Sequence, residues 1–86
     1  MIKVLLFAQI RERLDCAQVN ISTDKPSTAP ATIAELKTLL AQRGDLWHLM
    51  FAEQQVLSAI NKVMSTDDSP IQAGDEVAFF PPVTGG

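Results

Sequence analysis

Several classes of protein are excluded by what this chain lacks. Cys16 is its single cysteine, so an internal disulfide is impossible. No apolar run approaches the roughly 20 residues that cross a bilayer. Seven Lys and Arg residues against ten Asp and Glu residues give a formal net charge of −3. That balance argues against a protein that binds the phosphate backbone of nucleic acids. We therefore expect no membrane anchor and no nucleic-acid partner.

Cysteine and histidine, each present once, are also scarce. Cys16 has no histidine near it in sequence, so we interpret it as a passive thiol. His48 has no histidine or cysteine at metal-ligand spacing. The acidic pair Asp67-Asp68 is typical of a solvated turn. The sequence therefore predicts no metal site.

What remains is the composition of one soluble globular domain. The chain has 86 residues, of which 47% are hydrophobic and 20% are charged. The apolar start, Met1–Ala8, is too short for a signal peptide and no cleavage site follows it. We therefore expect a cytoplasmic protein.

The first half of the chain predicts two strands and a helix. Apolar residues at every second position from Ile2 to Ile10 indicate a strand, and Val19 and Ile21 indicate a shorter one. The link Arg11–Ala17 is short, which favours an antiparallel hairpin.

A capping box then predicts the main helix. Thr32 and Glu35 have the required spacing, and apolar residues follow at helical spacing. Gly44 is expected to end this helix, and Asp45 to cap a shorter one.

The second half predicts two further strands, Val56–Met64 and Glu76–Phe80, with a tight turn at Ala73-Gly74-Asp75. Pro81-Pro82 should end the last strand, because proline has no amide proton for the ladder. The element order predicts an α+β fold of the ubiquitin-like β-grasp type, a mixed sheet with one main helix across one face and a short second helix. Residues 1–80 would form the domain and residues 81–86 a flexible Gly-Gly tail.

The last residues, Gly85-Gly86, allow two interpretations. A thin pair of glycines can enter a narrow active site, which is typical of a carrier whose reactive group is the C-terminal carboxylate. The alternative is a frayed chain end without function.

Three segments bear a family resemblance. The stretch 74–86, the start Met1–Ala8 and Ala59-Ile60-Asn61 resemble the small subunit of molybdopterin synthase. The match covers both ends of the chain and the third strand. The C-terminal stretch is highly specific, whereas the start alone would be weak.

The resemblance implies a sulfur carrier. An E1-like adenylating enzyme would use ATP to activate the carboxyl of Gly86, and a sulfur donor would convert it to a thiocarboxylate. The tail, Val83, Thr84 and Gly85 before Gly86, would enter the large subunit of the synthase and deliver sulfur to a cyclic pterin precursor. The resemblance also implies a heterotetramer of two small and two large chains, catalytic residues on the large subunit, and no permanently bound cofactor.

The predicted interface rests on strand alternation and on the resemblance. Phe79 and Phe80 must face opposite sides of the sheet. The resemblance favours Phe80 and Phe7 as anchors on the face away from the main helix, with Pro81, Pro82 and Arg11 also contacting the partner.

Three alternatives remain open at this point. The chain could be the related sulfur carrier of thiamine synthesis, although those chains tend to be shorter and lack the Phe-Phe-Pro-Pro lead-in. It could be a ubiquitin-like modifier joined to lysines of target proteins. It could also be a β-grasp interaction domain with an inert end.

Overall fold

A five-stranded mixed sheet forms the centre of the molecule. The structure is a computed structural model that describes residues 1–82. Its elements are β1 (Ile2–Leu6), α1 (Ala8–Leu14), β2 (Gln18–Ile21), α2 (Ile33–Ala41), α3 (Asp45–His48), a π-helical turn (Leu49–Glu53), β3 (Leu57–Ile60), β4 (Val63–Ser65) and β5 (Glu76–Phe80). The strand order is β2-β1-β5-β3-β4. This is the predicted β-grasp arrangement.

The two terminal strands of the domain lie together in the middle of the sheet. β1 pairs in parallel with β5 and antiparallel with β2, so the predicted hairpin is confirmed. Ile2, Val4 and Leu6 are at most 1% exposed. They share one core with Ile33, Leu36 and Leu40 of α2. None of the helices within residues 1–82 is long and apolar enough to cross a membrane.

The prediction that the first strand reaches Ile10 is wrong. β1 ends at Leu6, and the helix α1 covers the end of the predicted strand and the first half of the predicted link. Ile10 is fully buried, but from a helix, so the alternation of apolar residues continued past the end of the strand. The segment is rich in strong helix formers, Ala, Gln, Arg, Glu and Leu. Ala8 turns the chain into this helix with a left-handed backbone, φ 53°, and Asp15 ends it with φ 50°.

The start of α2 is as predicted and its end is not. The Thr32 hydroxyl accepts the Glu35 N–H at 3.2 Å. The Glu35 carboxylate accepts from the Ala31 N–H at 3.2 Å rather than from Thr32. The extended chain before the helix also pairs with the 69–71 segment. The helix ends at Ala41, and Gly44 is the N-cap of α3 rather than a C-terminal stop.

The predicted third strand is two strands joined by a two-residue turn. Ile60 pairs with Val63, and Asn61 and Lys62 between them have φ values of 48° and 72°. Two consecutive left-handed residues are typical of the type I′ hairpin turn. The Asn61 side chain also donates to Asp75 and accepts the Glu76 N–H, both at 3.0 Å. These bonds tie the turn to the start of β5.

We expect Lys62→Gly to stabilise the domain by about 0.5–1 kcal/mol. A left-handed backbone destabilises a residue with a Cβ by about 1–2 kcal/mol, and glycine removes this cost. Glycine also has more conformational freedom in the unfolded chain, which cancels part of the gain in stability. Denaturant unfolding measures the difference. Lys25→Gly is the matched control, since Lys25 is an exposed loop lysine outside the positive-φ residues. An equal gain in the control would contradict the explanation from the backbone angle.

Candidate partner interface and tail base

Alternate residues of β5 face opposite sides of the sheet. Val77 and Phe79 are 0% exposed on the side of α2. The Phe79 ring packs edge-on against Phe51, with ring centroids 5.1 Å apart. Phe80 is half-buried and points to the opposite side. The structure therefore places both rings on the predicted faces, while the role of Phe80 in binding stays a prediction.

Phe7 lies directly after β1 but keeps extended backbone geometry, with φ −123° and ψ 158°. Its N–H donates to the Phe79 carbonyl at 3.1 Å. Leu5 is paired with Ala78, so the same register, continued by two residues, places Phe7 beside Phe80. The Phe7 side chain is 44% exposed.

The two rings belong to a larger apolar surface on the side of the sheet away from α2. Phe80 is paired with Leu57, Ala78 with Ala59, and Ala59 with Met64. Met64 is 61% exposed. We name this surface the open sheet face. Its members are Leu5, Phe7, Leu57, Ala59, Met64, Ala78 and Phe80.

Polar residues border the open sheet face. At the end away from the tail, Lys3 and Glu76 form a solvent-exposed ion pair at 3.9 Å. Along the β2 edge, Gln18 donates to Asn20 at 3.2 Å. An apolar centre with a polar rim is the usual anatomy of a protein–protein interface. The surface is thus suited to binding another protein.

Sequence reasoning missed Leu57 and Met64. An unbroken strand from Val56 to Met64 would put these two residues on opposite faces. The turn at Asn61-Lys62 shifts the alternation and brings both to the open sheet face. Asn61 was the available signal, because asparagine tolerates left-handed backbone, but the usual Asn-Gly pair was absent.

A cleft of about 450 Å³ lies where β5 ends. Pro81 and Pro82 are half-buried and form part of its wall. The remaining lining residues are Ala8, Gln9, Ile10, Met50, Gln54, Gln55 and Val56. The base of the tail therefore lies against the domain, at the same end of the sheet as Phe7 and Phe80.

Of the other predicted site residues, the structure describes Arg11. Arg11 is exposed on α1, one helical turn from Ala8. Val83, Thr84, Gly85 and Gly86 lie outside the described residues. Their predicted roles stay predictions.

The described side chains form no evident reaction centre. Residues 1–82 contain no group of three or more His, Cys, Asp or Glu side chains that could hold a metal ion. Cys16 is half-buried, and its thiol donates to the Gln18 carbonyl at 3.3 Å. His48 is exposed on α3.

Comparison with known proteins agrees with this architecture. Residues 4–86 match the model of the ThiS family. The chain belongs to the ThiS family. It is 42% identical over 86 residues to the molybdopterin synthase sulfur carrier subunit of Escherichia coli K12, with all of both chains covered.

Two solved structures share the fold. The crystal structure of SAMP1 from Haloferax volcanii matches with a TM-score of 0.74 and 23% identity, over 99% of this chain and 98% of that one. The complex of subunits 1 and 2 of the molybdopterin-converting factor from Helicobacter pylori contains a chain that matches with a TM-score of 0.62 and 24% identity, over 99% and 97%. At these identities the likeness shows the fold alone.

Truncating the two phenylalanines of β5 should destabilise the domain to very different extents. Phe79→Ala should destabilise the domain by about 3–5 kcal/mol, because it leaves a cavity beside Phe51. Phe80→Ala should cost about 1 kcal/mol or less, since the ring is only half-buried. Denaturant unfolding of the two variants checks this. A larger loss for Phe80→Ala would contradict the assignment of the two faces.

Proposed function

We propose that this protein is the sulfur carrier subunit of a molybdopterin synthase, with the Gly86 carboxyl as the group that bears sulfur. The full-length 42% identity to the E. coli sulfur carrier subunit carries this proposal. The apolar open sheet face and the tail base beside it support it. A carrier needs a docking surface and a reactive end rather than catalytic side chains.

The proposed chemistry follows from the low reactivity of a carboxylate. A Gly86 carboxylate oxygen attacks the α-phosphate of ATP on the adenylating enzyme, and pyrophosphate leaves. A sulfur donor then displaces AMP from the acyl-adenylate, which produces the thiocarboxylate. The thioacid sulfur is a better nucleophile than the original oxygen. It attacks a carbon of the cyclic pterin precursor and displaces oxygen there, and water then cleaves the acyl–sulfur bond, which leaves sulfur on the pterin and restores the Gly86 carboxylate. Two such transfers supply the two sulfurs of the dithiolene of molybdopterin.

The large subunit of the synthase is the proposed partner for the open sheet face. The solved H. pylori complex joins subunits 1 and 2 of the molybdopterin-converting factor. Exposed apolar patches of this kind usually mark partner sites. We assign Phe80 and Phe7 as anchors, with Pro81, Pro82 and Arg11 near them. The proposed assembly is a heterotetramer of two small and two large chains.

The adenylating enzyme would use the same end of the molecule, since it must reach the same carboxyl. ATP is its substrate, and we propose no permanently bound cofactor for the carrier. We place the reaction in the cytoplasm, where ATP is available. The catalytic residues would belong to the two partners.

The alternatives make different predictions about the bound state of Gly86. A protein modifier would be recovered in isopeptide linkage to lysines of target proteins, and a thiamine carrier would transfer sulfur without the synthase large subunit. The fold likeness to SAMP1 does not separate these functions. The intact mass of the carrier from its native cell would reveal one oxygen exchanged for sulfur in either carrier, and its partner would distinguish them.

Changing the end of the chain should abolish activity without unfolding the domain. Deleting Gly86, or adding one alanine after it, misplaces or blocks the reacting carboxyl, while the described core contains no residue beyond Phe79. We expect loss of sulfur transfer to the pterin precursor and an unchanged unfolding temperature. Full activity of the extended chain would contradict the proposed function.

Phe80→Asp should weaken binding to the large subunit by at least about 2 kcal/mol, the scale of an interface hot spot. A carboxylate in the apolar centre of the interface would lose its hydration without gaining a partner. Calorimetric titration of the folded variant with the large subunit measures the loss.

Leu46→Asp is the matched control for that titration. Leu46 is a 53% exposed leucine on α3, away from the open sheet face, and the substitution adds the same charge. Its affinity should stay close to that of the unchanged protein. Equal losses in both variants would point to net charge rather than to the open sheet face.

A further inference from the structure

The hydrogen-bond ladder between β1 and β5 ends at the Phe7 carbonyl, which accepts a hydrogen bond from α1 instead of from the chain after β5. The Phe7 N–H donates to Phe79 at 3.1 Å. In a parallel ladder, a residue that donates to one residue of the partner strand accepts, through its own carbonyl, the N–H of the residue two positions further along that strand. Phe7 donates to Phe79, so its carbonyl would accept from residue 81, which is Pro81. Proline has no N–H. The Phe7 carbonyl instead accepts the Arg11 N–H at 3.4 Å, at the start of α1. The chain therefore leaves this ladder at Pro81.

The two prolines also restrict the direction of the chain at this point. The ring of Pro81 sets its φ angle, and the following Pro82 confines its ψ angle to extended values. Phe80 precedes a proline and is confined in the same way. The backbone is thus held extended at Phe80 and Pro81, and the ring of Pro82 sets the φ angle of Pro82 itself.

The domain provides a fixed wall for this segment. Both prolines are half-buried at the cleft. Met50 and Val56, which also line it, are 4% and 6% exposed and belong to the core. Ala8, on the same wall, has the left-handed φ of 53°, a conformation that persists only where the surrounding structure enforces it. The shape of the cleft is therefore determined by the core of the fold.

We propose that Pro81 and Pro82 are positioning residues for sulfur transfer: seated at the cleft, they set the direction in which residues 83–86 leave the domain. This inference rests on the proposed function. A chain of four residues spans at most about 14 Å, so the direction set at its base limits where its far end can reach. An error of about 1 Å at a reacting group can cost as much as 100-fold in rate. The prolines reduce that error before the partner binds.

The expected effect is on rate more than on affinity. The open sheet face holds the partner, so the complex still forms when the base of the tail is loosened. A smaller fraction of complexes then has the thiocarboxylate at the reaction centre. This separates a positioning role from a simple contact with the partner.

The test compares Pro81-Pro82→Ala-Ala and Pro81-Pro82→Gly-Gly in the full-length chain. Each variant is loaded as the thiocarboxylate and mixed with saturating large subunit and pterin precursor. We expect the single-turnover rate to fall roughly threefold for Ala-Ala and at least about tenfold for Gly-Gly. The Kd for the large subunit should change less than the rate. Pro26→Ala, an exposed loop proline, is the matched control and should keep both values.

Three outcomes decide the inference. A graded loss of rate at saturation with an unchanged unfolding temperature supports it. A wild-type rate at saturation in the Gly-Gly variant, or a loss confined to Kd, would overturn it. Pro82→Gly alone keeps the ladder stop at Pro81 and guards against a folding defect, and it should also lose rate. An unaltered chain that transfers no sulfur would overturn the proposed function, a result distinct from the others.

Discussion

The parallel pairing of β1 with β5 is the constraint on which the rest of the structure depends. It joins residues from the two ends of the domain, with Leu6 opposite Phe79 and both almost fully buried. Such long-range contacts cost loop entropy before they stabilise the chain. Once they form, β2 can pair only on one side and β3 only on the other. The tail consequently leaves from the middle of the sheet, with structured chain on both sides.

The same pairing divides the sheet into two unequal faces. Residues that face the same side of the sheet as Phe79 join the core under α2. Residues that face the same side as Phe80 form the open sheet face. Leaving apolar side chains in water carries a risk of unspecific association. Polar margins limit that risk, together with short edge strands, since β4 has three residues and β2 has four. The fold therefore keeps an apolar docking surface without long apolar edges.

The proposed carrier role requires the chain end to reach a reaction centre in another protein, and the backbone around Phe7 determines where the chain leaves the β1–β5 ladder. The Phe7 carbonyl binds Arg11 instead of the next strand residue. Because Arg11 donates to it, the Phe7 carbonyl has a hydrogen-bond partner although Pro81 has no N–H. The last hydrogen bond of the ladder, the first turn of α1 and the start of the tail therefore meet at Phe7 and Pro81.

The sequence by itself determined the fold class, the hairpin, the Thr32 cap of α2 and the limits of β5. These features rest on local signals, namely alternation, capping and proline. The family resemblance of the Phe-Phe-Pro-Pro-Val-Thr-Gly-Gly ending likewise required no structure. Alternation also assigned Phe79 and Phe80 to opposite faces, although the resemblance was needed to choose between them.

Only the tertiary structure decided where local signals were ambiguous. Ile10 is buried by a helix although its spacing suits a strand, because burial does not depend on which element delivers the side chain. The turn at Asn61-Lys62 carries no glycine, so the membership of Met64 in the open sheet face became visible only from strand pairing. The cleft at Pro81 and Pro82 joins parts of the chain more than 70 residues apart in sequence. Such a site depends on how the terminal strands meet, and no local pattern specifies it.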